Sequence, residues 1–179
     1  MQVLMIVVTA VLVAIAGLLG MAMTKPNVFR LARSVLIKAP PEAIAPLITD
    51  FRRWTEWSPW EGVPGDALQR SYSGAASGVG AVYDWTGKKT GVGRMEIIEA
   101  TTRHVGIKLD FFKPFEAHNV AEFTLEPTPE PGVTAVVWSM HGPANLMTKV
   151  MHTVMNMDKM VGPSFEQGLT KLKVLTEKP

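Results

Sequence analysis

Residues 105–112 read VGIKLDFF, a segment in which large apolar side chains occupy every second position. Strict alternation directs one set of side chains to each face of an extended chain, so this segment predicts a β-strand with one buried face. Five other runs are apolar or alternating, and Gly, Pro or charged turn residues separate them. These runs are residues 68–73, 81–85, 93–100, 120–125 and 133–140. Together the six runs predict an antiparallel meander.

Two connections in this meander have clear turn chemistry. Residues 86–89 read TGKK and predict a hairpin, whereas residues 127–132 read PTPEPG and predict a rigid loop. That loop cannot continue a strand, because proline has no backbone donor. One more alternating run, residues 29–37, precedes the meander and predicts a strand that ends at Ala39-Pro40-Pro41.

Helical spacing occurs on both sides of the meander. Residues 42–48 predict a short helix, and residues 50–57 predict a second short helical turn. From Asn145 to Leu175 the period is helical again, and Gly162-Pro163 predicts a break or kink because the proline removes a backbone donor. A sheet that buries one face against one long helix predicts an α+β fold. We expect a curved antiparallel sheet of about seven strands around the C-terminal helix, with an apolar space between them.

The N-terminal segment has a different composition. No residue from Met1 to Thr24 is charged, and residues 3–23 are almost entirely aliphatic. At about 1.5 Å per residue, a helix over this run is about 31 Å long, which matches a bilayer core of roughly 30 Å. The sequence therefore predicts a transmembrane helix at residues 1–24, followed by one domain at residues 25–179. A cleaved signal peptide, with Ala14-Ile15-Ala16 as the cleavage site, and a buried core helix are the alternatives.

The charges around this helix are one-sided. Lys25, Arg30, Arg33 and Lys38 all follow it, and no basic residue precedes it. The positive-inside rule then predicts a single-pass membrane protein whose domain faces the cytoplasm.

Composition excludes several classes of function. With 179 residues and a net charge of +2, the chain is short for a two-lobed enzyme and lacks the basic field typical of nucleic-acid binding. It has no cysteine, which excludes thiolate metal sites and cysteine nucleophiles. Its four histidines show no metal-ligand spacing, and its glycines match no nucleotide-binding loop. We therefore expect no metal, no cofactor and no nucleic-acid partner; the oligomeric state stays open.

Aromatic residues and methionines mark the apolar space. Tryptophans crowd residues 54–60, and Met147, Met151 and Met155 repeat every fourth residue on one helical face. Flexible thioethers suit a pocket wall, although ordinary core packing predicts the same pattern. The expected ligand-pocket residues are Trp57, Trp60, Tyr83, Trp85, Leu109, Phe111, Phe123, Trp138, Met140, Met147, Met151 and Met155.

Catalytic candidates are few. His141 follows a predicted strand beside Gly142, so it is the first histidine to consider for acid or base chemistry. Tyr83 and Arg94 are further candidates for proton transfer or substrate orientation. The remaining strand polar groups alternate with apolar neighbours, so most should face solvent. They are Asp84, Glu96, Asp110, His118 and Glu122, and Arg94 has the same pattern.

Several short motifs occur in a fixed order from Phe29 to Leu175. They are WSPW at 57–60, GVG at 78–80 with YDW at 83–85, GVG at 91–93, PF at 114–115, Trp138 with Gly142, MDKMVG at 157–162 and FEQGL at 165–169. In this order the chain resembles the START-like (SRPBCC) superfamily, in its polyketide cyclase/dehydrase and lipid-transport branch. The resemblance implies a helix-grip fold with a cavity for a hydrophobic molecule and no fixed catalytic set. Pro163 departs from the pattern, since many relatives have a polar residue there.

Three functions follow from these observations. The leading hypothesis is a membrane-anchored protein that binds a lipid, quinone or polyketide-like molecule in the cavity. The second is a cyclase or dehydratase acting on a polyketide-like substrate. The third is an interaction module in which residues 54–60 dock a protein partner.

Overall fold

The computed structural model of the chain describes residues 1–154 and 156–178, without the side chains of Met147, His152 and Met157. The strands are β1 (Val28–Ile37), β2 (Gln69–Gly74), β3 (Ala81–Gly87), β4 (Gly91–Ala100), β5 (His104–Lys113), β6 (Ala117–Pro127) and β7 (Thr134–Pro143). The helices are α1 (Gln2–Met23), α2 (Pro41–Thr49), α3 (Leu146–Val154) and α4 (Met157–Thr176), and a 3-10 turn spans Phe51–Glu56.

The seven strands form one antiparallel sheet in the order β1-β7-β6-β5-β4-β3-β2. All seven strands predicted from the apolar or alternating runs are confirmed, and each observed end lies within three residues of the predicted end. A meander of β2 to β7 places sequence neighbours side by side, and β1 closes the order beside β7. The α+β helix-grip fold predicted from the sequence is therefore the fold of the chain.

The sheet has two distinct ends. Val28 pairs with Pro143, Gly87 with Gly91, and Val92 with Lys113, so the start of β1, the end of β7 and the β3–β4 and β5–β6 turns meet at one end. We call this the proximal end, because α1 leads into it through residues 24–27 and packs against α3. The distal end carries the β2–β3 and β4–β5 turns and the β6–β7 loop.

Alternating burial defines an inner face of the sheet, which faces α4. Along β6, Ala121, Phe123 and Leu125 are buried while their neighbours are partly exposed. Helix α4 contributes Phe165 and Leu169 to the same core. The Phe165 ring stacks on Trp138, with 4.2 Å between ring centroids. Burial of these large apolar side chains is the main favourable term in folding.

The C-terminal helical segment is broken, but not where the sequence predicts. The chain does not break at Gly162-Pro163, because both residues lie inside α4; the kink that the sequence gives as the alternative stays a prediction. Instead α3 ends at Val154 and α4 begins at Met157. The side chain of Asn156 accepts a hydrogen bond from the Lys159 backbone N–H at 3.1 Å and so caps the new helix. Near the start of α4, Pro163 deprives the helix of a single backbone donor.

Helix α1 stands largely outside the domain. Its 22 residues have a mean hydropathy of 2.8 over the most apolar window, and Ala22 is its buried residue. At about 1.5 Å per residue the helix is about 33 Å long. It is therefore long and apolar enough to span a membrane, a property that signal sequences share.

Candidate functional site

A cavity of about 330 Å³ lies between the inner face of the sheet and helices α3 and α4. Its wall is mainly aromatic and aliphatic. Eight of the residues expected from the sequence line it: Trp60, Tyr83, Trp85, Leu109, Phe111, Trp138, Met140 and Met151. They come from three strands, β3, β5 and β7, from α3 and from the segment before β2, so the fold brings together positions that are far apart in the chain.

Four of the expected pocket residues are not described as part of this wall. Trp57 and Phe123 are fully buried in the core beside it, and the Trp57 indole N–H donates to the Leu47 carbonyl at 3.0 Å. Trp54 lines the cavity instead. The 3-10 turn tucks Trp54 and Trp57 inward, where they are 3% and 0% exposed, which leaves Trp60 as the exposed tryptophan of this segment. The side chains of Met147 and Met155 lie outside the described residues.

Stacked rings form one wall of the cavity. Tyr83 stacks on Tyr72 at 5.2 Å and on Trp85 at 6.0 Å between centroids. Phe111 meets Trp85 edge to face at 5.6 Å. Rings held in this way present flat, fixed surfaces, so the wall suits a rigid apolar or aromatic ligand.

Glu61 is the buried acid of the cavity wall. Its side chain is 5% exposed. The Tyr83 hydroxyl donates to Glu61 Oε1 at 2.7 Å, and Arg70 Nε donates to Oε2 at 2.6 Å. Arg70 Nη2 also donates to the Glu61 carbonyl at 3.0 Å. Tyr83 and Arg70 therefore hold the carboxylate in place, and the Arg70 guanidinium balances its charge.

Sequence reasoning missed Glu61. It directly follows the WSPW motif, so the motif marks where it lies in the sequence. Its partner Tyr83, however, lies 22 residues further on. Such a contact depends on how the loop packs against β3, which no local pattern encodes.

Tyr83 is held in its neutral form. Burial, and then its hydrogen bond to Glu61, raise the pKa of the Tyr83 hydroxyl well above its usual range. At neutral pH its O–H is donated to Glu61, so it can orient a ligand through its oxygen as an acceptor, but it does not act as a base.

The three catalytic candidates are not brought together. Tyr83 lines the cavity, whereas His141 and Arg94 lie on the outer face of the sheet. His141 Nδ1 is 3.4 Å from Glu122 Oε2, and Arg94 Nη1 is 3.6 Å from Asp84 Oδ1. His141 follows the cavity residue Met140, so alternation along β7 directs it away from the cavity.

One outer-face residue differs from the expectation that these groups face solvent. Asp110 is only 6% exposed. His118 Nδ1 lies 2.7 Å from its Oδ1 and Lys108 Nζ lies 3.0 Å from its Oδ2. Burial opposes ionisation of Asp110, but the hydrogen bonds from His118 and Lys108 lower its pKa overall. Its long neighbours cover the carboxylate, which alternation alone does not predict. Glu122, Asp84, Arg94 and Glu96 are partly exposed and His118 is exposed.

Possible metal ligands do not gather in the part of the chain that the structure describes. No group of three or more His, Asp or Glu side chains there could hold a metal ion.

Solved structures share this fold. Protein CV1439 from Chromobacterium violaceum is 17% identical, with coverage of 87% of this chain and 100% of that chain and a TM-score of 0.59. Protein MLL2253 from Mesorhizobium loti is 19% identical, with coverage of 84% and 100% and a TM-score of 0.57. The di-domain ARO/CYC BexL from the BE-7585A biosynthetic pathway is 11% identical, with coverage of 89% and 53% and a TM-score of 0.65. At these identities the likeness concerns the fold alone.

Sequence comparison gives the family. No curated protein matches the chain significantly. The family model for polyketide cyclase / dehydrase and lipid transport matches residues 28–177, which include every strand and helices α2 to α4. By this match over most of its length, the chain belongs to the polyketide cyclase / dehydrase and lipid transport family.

Proposed function

We propose that this protein binds a hydrophobic small molecule, namely a lipid, a quinone or a polyketide-like compound, in the cavity between the sheet and helices α3 and α4. The observation that carries the proposal is the cavity wall itself: about 330 Å³ of space lined by aromatic and aliphatic side chains around the buried carboxylate of Glu61. Ligand sites of proteins have this composition, with a few polar groups that fix orientation.

The test uses the full chain purified gently in lipid nanodiscs and then extracted with solvent. We expect a stoichiometric apolar compound in the extract. In a Met151→Trp variant the larger ring fills the cavity, and the compound should be lost while the fold is retained. Met160→Trp is the matched control, because Met160 is 47% exposed and does not line the cavity. Equal recovery from both variants would contradict the assignment of the cavity.

The proposal includes a membrane anchor. Helix α1 has the length and hydropathy of a single span, and the exposed Lys25 follows it directly. Because Lys25, Arg30, Arg33 and Lys38 follow the helix, the domain would lie on the cytoplasmic side. Carbonate extraction of membranes should leave the full chain in the pellet at its full mass. Protease added outside sealed cells should leave the domain intact. Release of a shortened chain would identify α1 as a signal peptide.

Glu61 favours a second candidate function. A carboxylate that is 5% exposed and faces a substrate-sized cavity can accept a proton during cyclisation or dehydration, while Tyr83 orients the substrate. Turnover of a poly-β-ketone mimic, lost in Glu61→Gln with binding retained, would support an enzyme of this type. Binding without chemical change would favour the carrier.

A further inference from the structure

The proximal end of the sheet lies next to α1. Four residues, 24–27, join the end of α1 at Met23 to the start of β1 at Val28. At about 3.5 Å per residue this connection reaches at most about 14 Å. Helix α1 also packs against α3, and its buried residue, Ala22, is in the last turn. If α1 spans a membrane, the proximal end therefore lies close to the membrane surface.

This end carries a concentration of lysines. They are Lys25, Lys88, Lys89, Lys113 and Lys149, and the nearby acids are Asp66 and Glu116. The Asp66 carboxylate accepts hydrogen bonds from the backbone N–H groups of Lys88, Lys89 and Thr90, so it stabilises the β3–β4 turn. By contrast, the distal turns and loops carry Lys38, Arg103 and Glu130. Positive charge is therefore concentrated where the membrane would be, and lysines near a membrane surface attract anionic lipids.

Exposed apolar side chains occupy the same end. Phe112 and Phe115 beside the β5–β6 turn are 48% and 59% exposed, and Val28 and Leu146 are 56% and 54% exposed. Phenylalanine and leucine side chains on a protein surface can enter the boundary between headgroups and acyl chains, where lysine ammonium groups reach the lipid headgroups.

The cavity reaches this apolar rim. Phe115 lines the cavity as well as being exposed, and so do Pro143 and Asn145 at the end of β7. Thr148 and Met151 of α3 continue the wall toward α1. A ligand at this opening would touch the bilayer on one side and the cavity on the other.

We propose that the proximal end docks on an anionic lipid bilayer, with Phe115 and its neighbours in the interfacial layer and the lysines on the headgroups. The cavity then opens into the bilayer, and a hydrophobic molecule enters it without crossing water. The proposal rests on the proposed function, because α1 must lie in the same membrane.

The test uses the absence of cysteine in the chain, since a single introduced cysteine gives a unique label position. Nitroxide labels are placed on Phe115→Cys and on Val79→Cys in full-length protein in nanodiscs of phosphatidylcholine with one fifth phosphatidylserine. Val79 is the matched control, because it is apolar and 58% exposed but lies in a distal turn. We expect the label at 115 to be relaxed more by oxygen than by an aqueous nickel chelate, and the label at 79 to show the reverse. If both labels are relaxed more by the nickel chelate than by oxygen, the docking is overturned.

A third label separates this result from the failure of the anchor. Val11→Cys lies in the middle of α1 and is expected to be inside the bilayer. A membrane signal at 11 with an aqueous signal at 115 overturns docking alone, whereas an aqueous signal at 11 overturns the anchor and the docking together. Ligand recovery is measured separately and fails or succeeds independently of both.

Charge provides a second measurement. Replacing Lys88→Gln and Lys89→Gln should lower the oxygen-to-nickel accessibility ratio at position 115 at least twofold in anionic nanodiscs. The control pair Lys38→Gln and Arg103→Gln, at the distal end, should leave the ratio unchanged. An equal effect of both pairs would overturn the role of the proximal lysines.

Discussion

At the scale of single residues, Glu61 gives the cavity its polarity. Three donors of the cavity wall are already engaged: Tyr83 donates to Glu61, and the Trp54 and Trp85 indoles donate to the backbone carbonyls of Ile48 and Thr90. The buried indole N–H of Trp138 has no partner among the described residues. A carboxylate has about four acceptor positions, and two of those on Glu61 are filled. A ligand that reaches Glu61 is therefore best recognised if it brings a hydrogen-bond donor of its own.

This polarity predicts the order of affinity among small aromatic probes. We expect 2-naphthol to bind more tightly than 2-methoxynaphthalene, which has no donor, and 2-naphthoate to bind most weakly because its charge repels Glu61. A hydrogen bond to a charged acceptor contributes about 1.5–3 kcal/mol, or roughly 10- to 150-fold in affinity. Glu61→Gln should remove most of this preference, whereas Glu122→Gln on the outer face should keep it. Titration calorimetry measures all three probes, and equal affinities in the unmodified protein would contradict the prediction.

The two tyrosines predict that the stability of the folded protein depends on pH. The chain has two, Tyr72 and Tyr83. Burial raises the pKa of both hydroxyls, and the charge of Glu61 adds to the effect. In the folded protein both hydroxyls therefore ionise at a higher pH than free tyrosine, which ionises at about pH 10. Their contribution to stability is complete below pH 10 and is lost as the pH rises through the folded-state pKa.

Ultraviolet absorbance at 295 nm tests this directly. Near pH 10 the folded protein should show less tyrosinate than the protein in guanidinium, which should titrate there. Tyr83→Phe is the matched variant, and it should leave one tyrosine that still resists ionisation. A folded-state titration near pH 10 for either residue would show that it is solvated.

At the scale of elements, one contact fixes α4 on β1. Arg33 donates from Nη1 and Nη2 to the two carboxylate oxygens of Asp158 at 2.9 Å each and from Nε to Glu166 at 2.7 Å. Gly162 lies midway between these acids on the same helix face, and a Cβ there would meet the Arg33 guanidinium. A side chain at position 162 would therefore push the Arg33 guanidinium away from its two acids.

This geometry reverses the usual effect of a helical glycine. In an exposed helix interior, Gly→Ala stabilises by about 1 kcal/mol. Here we expect Gly162→Ala to destabilise, by about 1 kcal/mol or less, because the Arg33 guanidinium must move away from Asp158 and Glu166 to make room for the Cβ. The double variant with Arg33→Met should recover part of the loss, and Gln167→Ala, at an exposed site of α4, should have little effect. Thermal unfolding monitored by circular dichroism gives the order, and a more stable Gly162→Ala would be the contrary result.

Some elements and contacts could be predicted from the sequence alone, and others could not. Alternation predicted all seven strands because each depends on side chains two residues apart. The helix break was misplaced because Asn156 and the Arg33 contact, not the local propensity of Gly162-Pro163, decide where α4 begins and how it packs. Trp57 and Trp54 could not be told apart as core and cavity residues, because their carbonyl partners lie on α2. Glu61 was missed because its role depends on a contact with β3.

At the scale of the whole molecule, helix α1, the proximal end of the sheet and the cavity lie next to one another in that order. Helix α1 packs on α3, α3 supplies cavity residues such as Thr148 and Met151, and the cavity continues to Glu61. If α1 anchors the domain as proposed, the domain meets that membrane at a high effective concentration. Loading should therefore depend on how much ligand the bilayer holds rather than on how much is dissolved in water.

This dependence can be measured with 1-hydroxypyrene, which brings a donor for Glu61 and accepts energy from tryptophan. Trp54, Trp60, Trp85 and Trp138 line the cavity, so a bound probe quenches their fluorescence. In vesicles carrying the full chain, we expect the loading rate to follow the mole fraction of probe in the lipid when total lipid is varied. Probe bound in the cavity is distinguished from probe dissolved in the bilayer by displacement with excess 2-naphthol. Since Lys88→Gln with Lys89→Gln weakens docking but leaves the cavity wall unchanged, this variant should load more slowly and reach the same final occupancy. A rate that follows the aqueous probe concentration in both proteins would mean that the cavity fills from water, with the anchor serving only to locate the domain.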